Sequence, residues 1–436
     1  MAMPPLTPMR TRAQLVAGLG GLAALVVGAA APAAAQQLAA DPPRNEQVAL
    51  ANETGVQPEH KSHLNGTAQV ASHDGQFVVF STDAALVPGD TNGTDDVYLR
   101  DAGDDITVLV SSRSGTAGND ASFEPTISAD GRYVAFTTWA TNLTRDTNGS
   151  TLDVVVKDMQ TDEVELVSVT SREKQRDRNS FFPVISDDGS AVSFQTFARL
   201  GRKDDDRTED VYVRDLRRGV TRQGSLLPGG NGDVRGPVLN GDLSGDGSVV
   251  VFGNANNLWA RNVRTGDTIR FHQETDAPPC QPFPMGSAGR PVISGDGRFA
   301  AFASCATDLP GEDGQYTDVY RINLMNGRIV RAHRSGDGNS YLPSLSRTGR
   351  FVGFGSEASN LVPGDDAGPD AFVADIRERT VTRASQAPDG SAGNSLSATT
   401  DVSISGNGRA LAYVSYADNL VEGDSFDLPE VFVWRR

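Results

Sequence analysis

The chain has 436 residues, more than one ordinary single-core domain holds but a natural length for a repeat array. Its 39 Lys and Arg stand against 56 Asp and Glu, a formal net charge of −17. A surface that acidic argues against nucleic acid and anionic lipid as partners, and leaves solubility, cations and basic protein patches as its uses.

The N-terminus has the pattern of an export signal. Arg10 and Arg12 precede the apolar run AQLVAGLGGLAALVVGAA, and APAAAQQ then offers an Ala-x-Ala cleavage site after Ala35. This predicts a signal peptide over residues 1–35, a linker over 36–45 and a secreted or extracytoplasmic location. No Cys near the site supports lipoprotein processing, and no tandem Arg pair supports twin-Arg export. The alternative is an uncleaved anchor. Beyond this run no segment is apolar enough to span a bilayer, so no membrane span is expected after cleavage.

From there one unit recurs: a short strand ending in Ser, a tight Gly turn, then an apolar strand. The copies are ASHDGQFVVF, SADGRYVAF, SDDGSAVSF, SGDGSVVVF, SGDGRFAAF, SRTGRFVGF and SGNGRALAY, with turn glycines from Gly75 to Gly408. They fall roughly 50–60 residues apart, a regularity that marks a repeat architecture. In the second copy EPTIS is the first strand, and the Asp-Gly turn supplies the positive φ of a tight hairpin. RYVAFTT, DVVVKD and EVELVSV follow as strands two to four. Alternating, β-branched runs without helical periodicity make the chain all-β. Four antiparallel strands per unit, repeated seven times, describe a β-propeller over residues 46–436. The seventh copy has only three strands and ends in EVFVWRR, while NEQVALANE near the start reads as an orphan fourth strand. Pairing the two closes a ring of seven blades and hides two sheet edges. Six blades plus a stray unit is the alternative.

The stretch FEPTISADGRYVAFTTWATNLTRDTNGSTLDVVVKD resembles the PD40 (WD40-like, TolB-type) repeats of bacterial propellers. The SxDGRxVAF core and the ATNL…DTNG…DV arm carry the resemblance, which covers about residues 46–436. It implies a β-propeller fold and commonly an exported location. TolB itself has an additional N-terminal α/β domain, for which too few residues precede the first blade here. Its partners and envelope role are therefore not carried over.

Turns after strands one and three are short, and loops after strands two and four are long. One face is thus minimal and the other decorated, and function is expected on the decorated face. That face is acidic: Asp90, Asp95 and Asp96 in the first unit, Asp146 and Asp153 in the second, Asp204 to Asp206 with Asp210 in the third. Within it, GDTNGTDDVYLRD, Gly89 to Asp101, looks like a calcium loop. An EF-hand frame begun at Asp90 puts Asn92 third and Thr94 fifth, then finds Asp95 where Gly is required, so the match fails. Asp90, Asn92, Asp95, Asp146 and Asn148 are the candidate metal ligands, with calcium as the candidate cofactor and Asn-Gly turn chemistry as the competing reading. A carboxylate stands immediately before each third strand at Asp96, Asp153, Asp210, Asp318, Asp370 and Glu430; only the fourth unit departs, with Asn257. A residue fixed by the repeat reads as scaffold, accepting hydrogen bonds from loop N–H groups.

The fourth unit is irregular. Its loop HQETDAPPCQPFPMGSAGR, His272 to Arg290, carries four prolines. One reading folds it over a pocket near Trp259, with Trp259, His272, Phe283 and Asp313 as candidate binding residues; simple space-filling is the other. Cys280 and Cys305 are expected to form a disulfide, with two buried thiols as the alternative. No G-x-S-x-G elbow, P-loop or H-E-x-x-H occurs, so no catalytic residue is assigned. These features favour a secreted, non-catalytic, monomeric propeller that binds a protein or glycan on its acidic loop face. A propeller enzyme of glycosidase or lyase type, and a calcium-stabilised structural protein, are the alternatives.

Overall fold

The computed structural model describes residues 43–436 except 51–59, 65–68, 150, 202–203, 205–207, 231, 233, 235–237, 255–256, 274–289, 312–314, 335, 366–367 and 424–427. The expected signal peptide and most of the expected linker lie outside the described residues. Seven antiparallel four-stranded sheets form one compact unit, a seven-bladed β-propeller, so six blades plus a stray unit is excluded. In blade two, Ser122–Ile127, Tyr133–Thr138, Asp153–Asp158 and Val164–Leu166 pair in chain order. The ring closes as the sequence predicts: Arg44–Gln47 is the outer strand of blade seven, in register with Glu430–Arg435 from Arg44 against Arg435 to Gln47 against Phe432. The strand begins inside the expected linker, two residues before the expected domain start. It ends at Gln47, although Val48 N still donates to Val431 O at 3.0 Å.

Most of the turns are built by a Ser and an Asp or Asn side chain around a glycine. In blade two, Ser128 Oγ donates to Asp130 Oδ1 at 2.6 Å and accepts from Tyr133 N at 2.9 Å, while Asp130 Oδ1 accepts from Arg132 N. Gly131 has φ +75°, and a Cβ there would lie 2.3 Å from the Phe77 ring of blade one. The glycine therefore permits the turn and also the close approach of the neighbouring blade. Within blades, an aromatic on strand two stacks on one on strand three: Phe80–Tyr98, Phe194–Tyr212, Phe252–Trp259, Phe302–Tyr320, Phe354–Phe372 and Tyr413–Phe432, at 5.5–6.2 Å between centroids.

Backbone hydrogen bonds join the blades at both ends of their first strands. At the turn end they run His73 N to Ala129 O, Ala129 N to Asp187 O, Asp188 N to Gly245 O and Gly245 N to Gly295 O. The circle then continues from Asp296 N to Arg347 O, Arg347 N to Gly406 O, and Asn407 N back to His73 O, all at 2.8–3.2 Å. One bond at every junction makes a closed circle. At the loop end, Ser62, Ser122, Ser180, Ser340 and Ser397 each donate N–H to the residue just before the strand-three carboxylate of the preceding blade. Inside the turn-end circle Asp187 accepts from Arg347 and, at 3.0 Å, from Gln69 Nε2, bridging blades one, three and six. The channel narrows there to a cavity of about 30 Å³, room for about one water.

Asn45 fastens the closing strand to blade six. Its Nδ2 donates to Ala384 O at 3.0 Å and Gln386 O at 2.8 Å, and its Oδ1 accepts from the buried Tyr413 hydroxyl at 2.8 Å. Asn45→Ala is expected to cost about 1–3 kcal/mol. Equilibrium urea unfolding followed by Trp fluorescence checks this, and an unchanged midpoint would show that closure does not depend on Asn45.

Candidate functional site

The loop face is less open in its charge than its composition suggests. Asp96, Asp153, Asp210, Asp318, Asp370 and Glu430 are each the first residue of a third strand, and all are buried. Their donors are side chains, where the sequence pattern had suggested loop N–H groups. In blades one, two, three and six a serine fifteen residues on, Ser111, Ser168, Ser225 or Ser385, donates its hydroxyl to the carboxylate. The same hydroxyl accepts the N–H of the next strand residue, as from Val97 and Val211, each at 3.1 Å. In blade five Arg331 Nη1 lies 2.5 Å from Asp318, and in blade seven Gln47 Nε2 donates to Glu430 at 2.7 Å. Burial pushes the Asp96 carboxyl up to about 7 and that of Asp153 to about 6, in both cases against their serine hydrogen bonds.

The candidate metal ligands separate into three places. Asp90, whose carboxylate accepts from Tyr98 Oη, is buried, and its side chain and that of Asn92 lie beside Asp96. Asn92 Nδ2 donates to Gly118 O at 2.9 Å. Asp95 is exposed, and its backbone carbonyl accepts from Ser122 N. Asp146 and Asn148 join Asp153 around the Gln175 side chain: Gln175 Nε2 is 3.0 Å from Asp146 Oδ1, 2.8 Å from Asn148 Oδ1 and 2.6 Å from Asp153 Oδ2. Among the described residues no group of three or more His, Cys, Asp or Glu side chains is placed to hold a metal.

Of the candidate binding residues, Trp259 and His272 are among the described residues, and both are buried. Trp259 is 5% exposed and stacked on Phe252 at 5.5 Å, so it is the blade-four member of the aromatic pairs and has no face left for a ligand. His272 is buried, stacked on Phe302 at 4.5 Å with Ser304 Oγ 3.4 Å from its Nε2. Phe283, Asp313 and Cys280 lie outside the described residues. Cys305 is buried and disulfide-bonded, and Cys280 is the only other cysteine in the chain.

The structure brings forward a different group, at the loop-side mouth of the channel. Glu124, Phe182 and Leu342 stand at φ +57°, +51° and +52°, each just before a proline and beside a register shift in the first strand. Left-handed backbone at such residues carries strain that their surroundings must hold. Glu124 is buried; its Oε2 accepts from Thr137 Oγ1 and Phe182 N, both at 2.7 Å, and burial raises its pKa. The Arg290 guanidinium lies 3.7 Å from the Phe182 ring centre, with Glu124 and Asp401 acting on its charge. Phe182 meets Phe181 edge-on at 5.2 Å, and Phe181 meets Phe197, 38% exposed, at 5.8 Å. An aromatic step beside a half-buried cation and two carboxylates combines apolar faces with charge at one place. The one sequence sign of it is that SFEP in blade two carries Glu where SFFP and SYLP carry apolar residues.

No protein-family model and no curated protein matches the chain. Its fold is similar to that of oligogalacturonate lyase from Vibrio parahaemolyticus, with 14% identity over 90% of this chain and 96% of that one at TM-score 0.54. A structure described as oligogalacturonate lyase in complex with manganese gives 12% identity, the same coverages and TM-score 0.55. The β-propeller domain of the Trilobed protease from Pyrococcus furiosus gives 10% identity over 86% of this chain and 95% of that one at TM-score 0.51. At these identities the likeness is one of fold, a propeller of the kind that the repeats imply.

The channel also holds Asp242, whose Oδ1 and Oδ2 accept from Leu243 N and Ile293 N at 2.7 and 3.0 Å. Burial pushes its carboxyl up to about 7, whereas an unfolded Asp titrates near ~4. The folded state therefore binds the extra proton between these values. The stabilisation is full below about 4 and is lost as pH rises through about 7. Asp242→Asn removes this dependence, so its deficit relative to the unaltered protein should be larger at low pH than at high pH. Urea unfolding at acidic and alkaline pH measures the two differences, and a constant deficit would refute the assignment.

Proposed function

We propose that the protein is a monomeric extracytoplasmic binding propeller that holds a glycan at the mouth of its channel, on the Phe182, Phe181 and Phe197 step beside Arg290. The cation seated on Phe182 at the rim of a rigid ring carries this reading. Flat aromatic faces take the apolar face of a sugar ring, and a guanidinium pairs with sugar hydroxyls or carboxylates. The N-terminal export pattern and the disulfide-bonded Cys305 both fit an oxidising compartment outside the cytoplasm. Radial repetition leaves only the short outer edge of each blade open to self-association.

A second reading, lyase activity on an acidic glycan, is favoured by one feature. Glu124, with its raised pKa, and Arg290 stand at the same mouth in a fold shared with oligogalacturonate lyase. Calorimetric titration with neutral and uronic-acid oligosaccharides tests the binding reading. Phe182→Ala and Phe197→Ala are expected to weaken binding roughly tenfold each, a loss of about 1.4 kcal/mol, without moving the melting temperature. The absence of any binding by the unaltered protein would refute it. Unsaturated product forming from the uronic-acid oligosaccharides would establish the lyase instead.

A further inference from the structure

Blades one and two carry the same loop with one decisive difference. In blade two Asp146, Asn148 and Asp153 turn three oxygens onto a single point, Gln175 Nε2, at 2.6–3.0 Å. In blade one Asp90, Asn92 and Asp96 occupy the same places in the repeat. The match extends to the anchoring bonds. Asn148 Nδ2 donates to Arg176 O as Asn92 Nδ2 donates to Gly118 O, and Asp153 Oδ1 accepts from Ser168 as Asp96 Oδ1 accepts from Ser111. The residue before each of those carbonyls is Gln175 in blade two and Ala117 in blade one. A methyl group donates nothing, so no side-chain amide stands where Gln175 does; among the described residues Asn92 Oδ1 accepts only the Thr94 N–H, at 3.0 Å, and Asp90 only the Tyr98 hydroxyl.

Two further observations point to a cation. Asp96 is fully buried, and its Oδ2, the counterpart of the oxygen that receives Gln175, has no hydrogen-bond partner; Thr94 Oγ1 in the same loop has none either. A buried carboxylate oxygen beside a second buried carboxylate, Asp90, is costly unless positive charge accompanies it. Other blades supply that charge themselves, through Arg331 at Asp318 and Arg383 at Asp365. At their strand position blade one has Leu109, and among the described residues no ion pair reaches Asp90 or Asp96.

We propose that blade one binds a calcium ion between Asp90, Asn92 and Asp96, at the point that the Gln175 amide fills in blade two. The donors are all oxygen, which selects a hard cation. Two carboxylates with an amide oxygen, open to water on the exposed side at Thr91 and Gly93, suit calcium's flexible six to eight ligands better than magnesium's strict octahedron. Asp95 is not a ligand, and Asp96 joins the set as its most buried member.

Calcium titrated into chelator-treated full-length protein, followed by calorimetry and thermal melting, tests this. The expected result is one strong site per chain, a melting temperature raised by calcium, and binding at least about tenfold weaker for magnesium. Ala117→Gln brings the blade-two amide into blade one. It should abolish that site while keeping, in chelator, a melting temperature no lower than that of the unaltered protein. Asp90→Asn should weaken binding without that gain. Gln175→Ala should create a second calcium site in blade two. The proposal is overturned if the unaltered protein takes up no calcium at millimolar concentration, or if a folded Ala117→Gln protein binds it undiminished.

Discussion

The constraint that governs this molecule is a circle of seven backbone hydrogen bonds, one at each junction between blades, each accepted by the carbonyl of the residue that follows Ser in the turn motif. A circle leaves little freedom, because each blade must present its turn to two neighbours at once. Only small residues fit at several of these positions. A Cβ at Gly245 or Gly295 would meet the Asp187 carboxylate at 2.3 or 2.5 Å, and one at Gly406 would meet His73 Nδ1 at 2.4 Å. The glycines thus make room for the few side chains that cross the channel. Asp187 uses that room to reach Gln69 and Arg347 in distant blades. Arg44–Gln47 then matters more than its four residues suggest, since it pairs the last blade with the start of the chain.

Much of this was legible because a repeat states each rule several times. The Asp-Gly turn, the four-strand unit and the missing last strand were visible in sequence, and so was the carboxylate that opens each third strand. What escaped was contact between residues distant in sequence, within a unit and between units. The serine that holds Asp153 stands fifteen residues away, beyond strand four, and serines are too common to flag one. Trp259, in the irregular fourth blade, fills the place that Tyr98, Tyr212 and Tyr320 fill elsewhere. The mouth residues Glu124, Phe182 and Arg290 come from blades two and three and from the approach to blade five. Only ring geometry brings them together. The left-handed backbone of Glu124 and Phe182 also defied local reasoning, because a residue before proline is biased toward extended conformations.

The acidic composition takes on a different meaning once these contacts are seen. A net charge of −17 suggested a broad negative face, yet many loop carboxylates point inward and are spent on the scaffold. Six of the seven blades meet the same electrostatic problem, a carboxylate buried at a strand entrance, and they do not all use the same donor. Serine hydroxyls serve four blades, with the Gln175 amide added in blade two. Arg331 serves blade five, and Gln47 from the closing strand serves blade seven. Variation in the donor is tolerated because the requirement is compensation, which several chemistries meet.

That division separates scaffold from recognition. Carboxylates compensated inside a blade offer little to a partner, so the density of Asp on the loops is a poor guide to where a ligand sits. Glu124 and Arg290 differ in kind. Neither belongs to the repeated set, each is drawn out of water, and they act on each other across blades rather than within one. In a structure whose repeated positions serve closure, residues that break the repeat and still gather at the channel mouth are the ones whose presence closure does not explain.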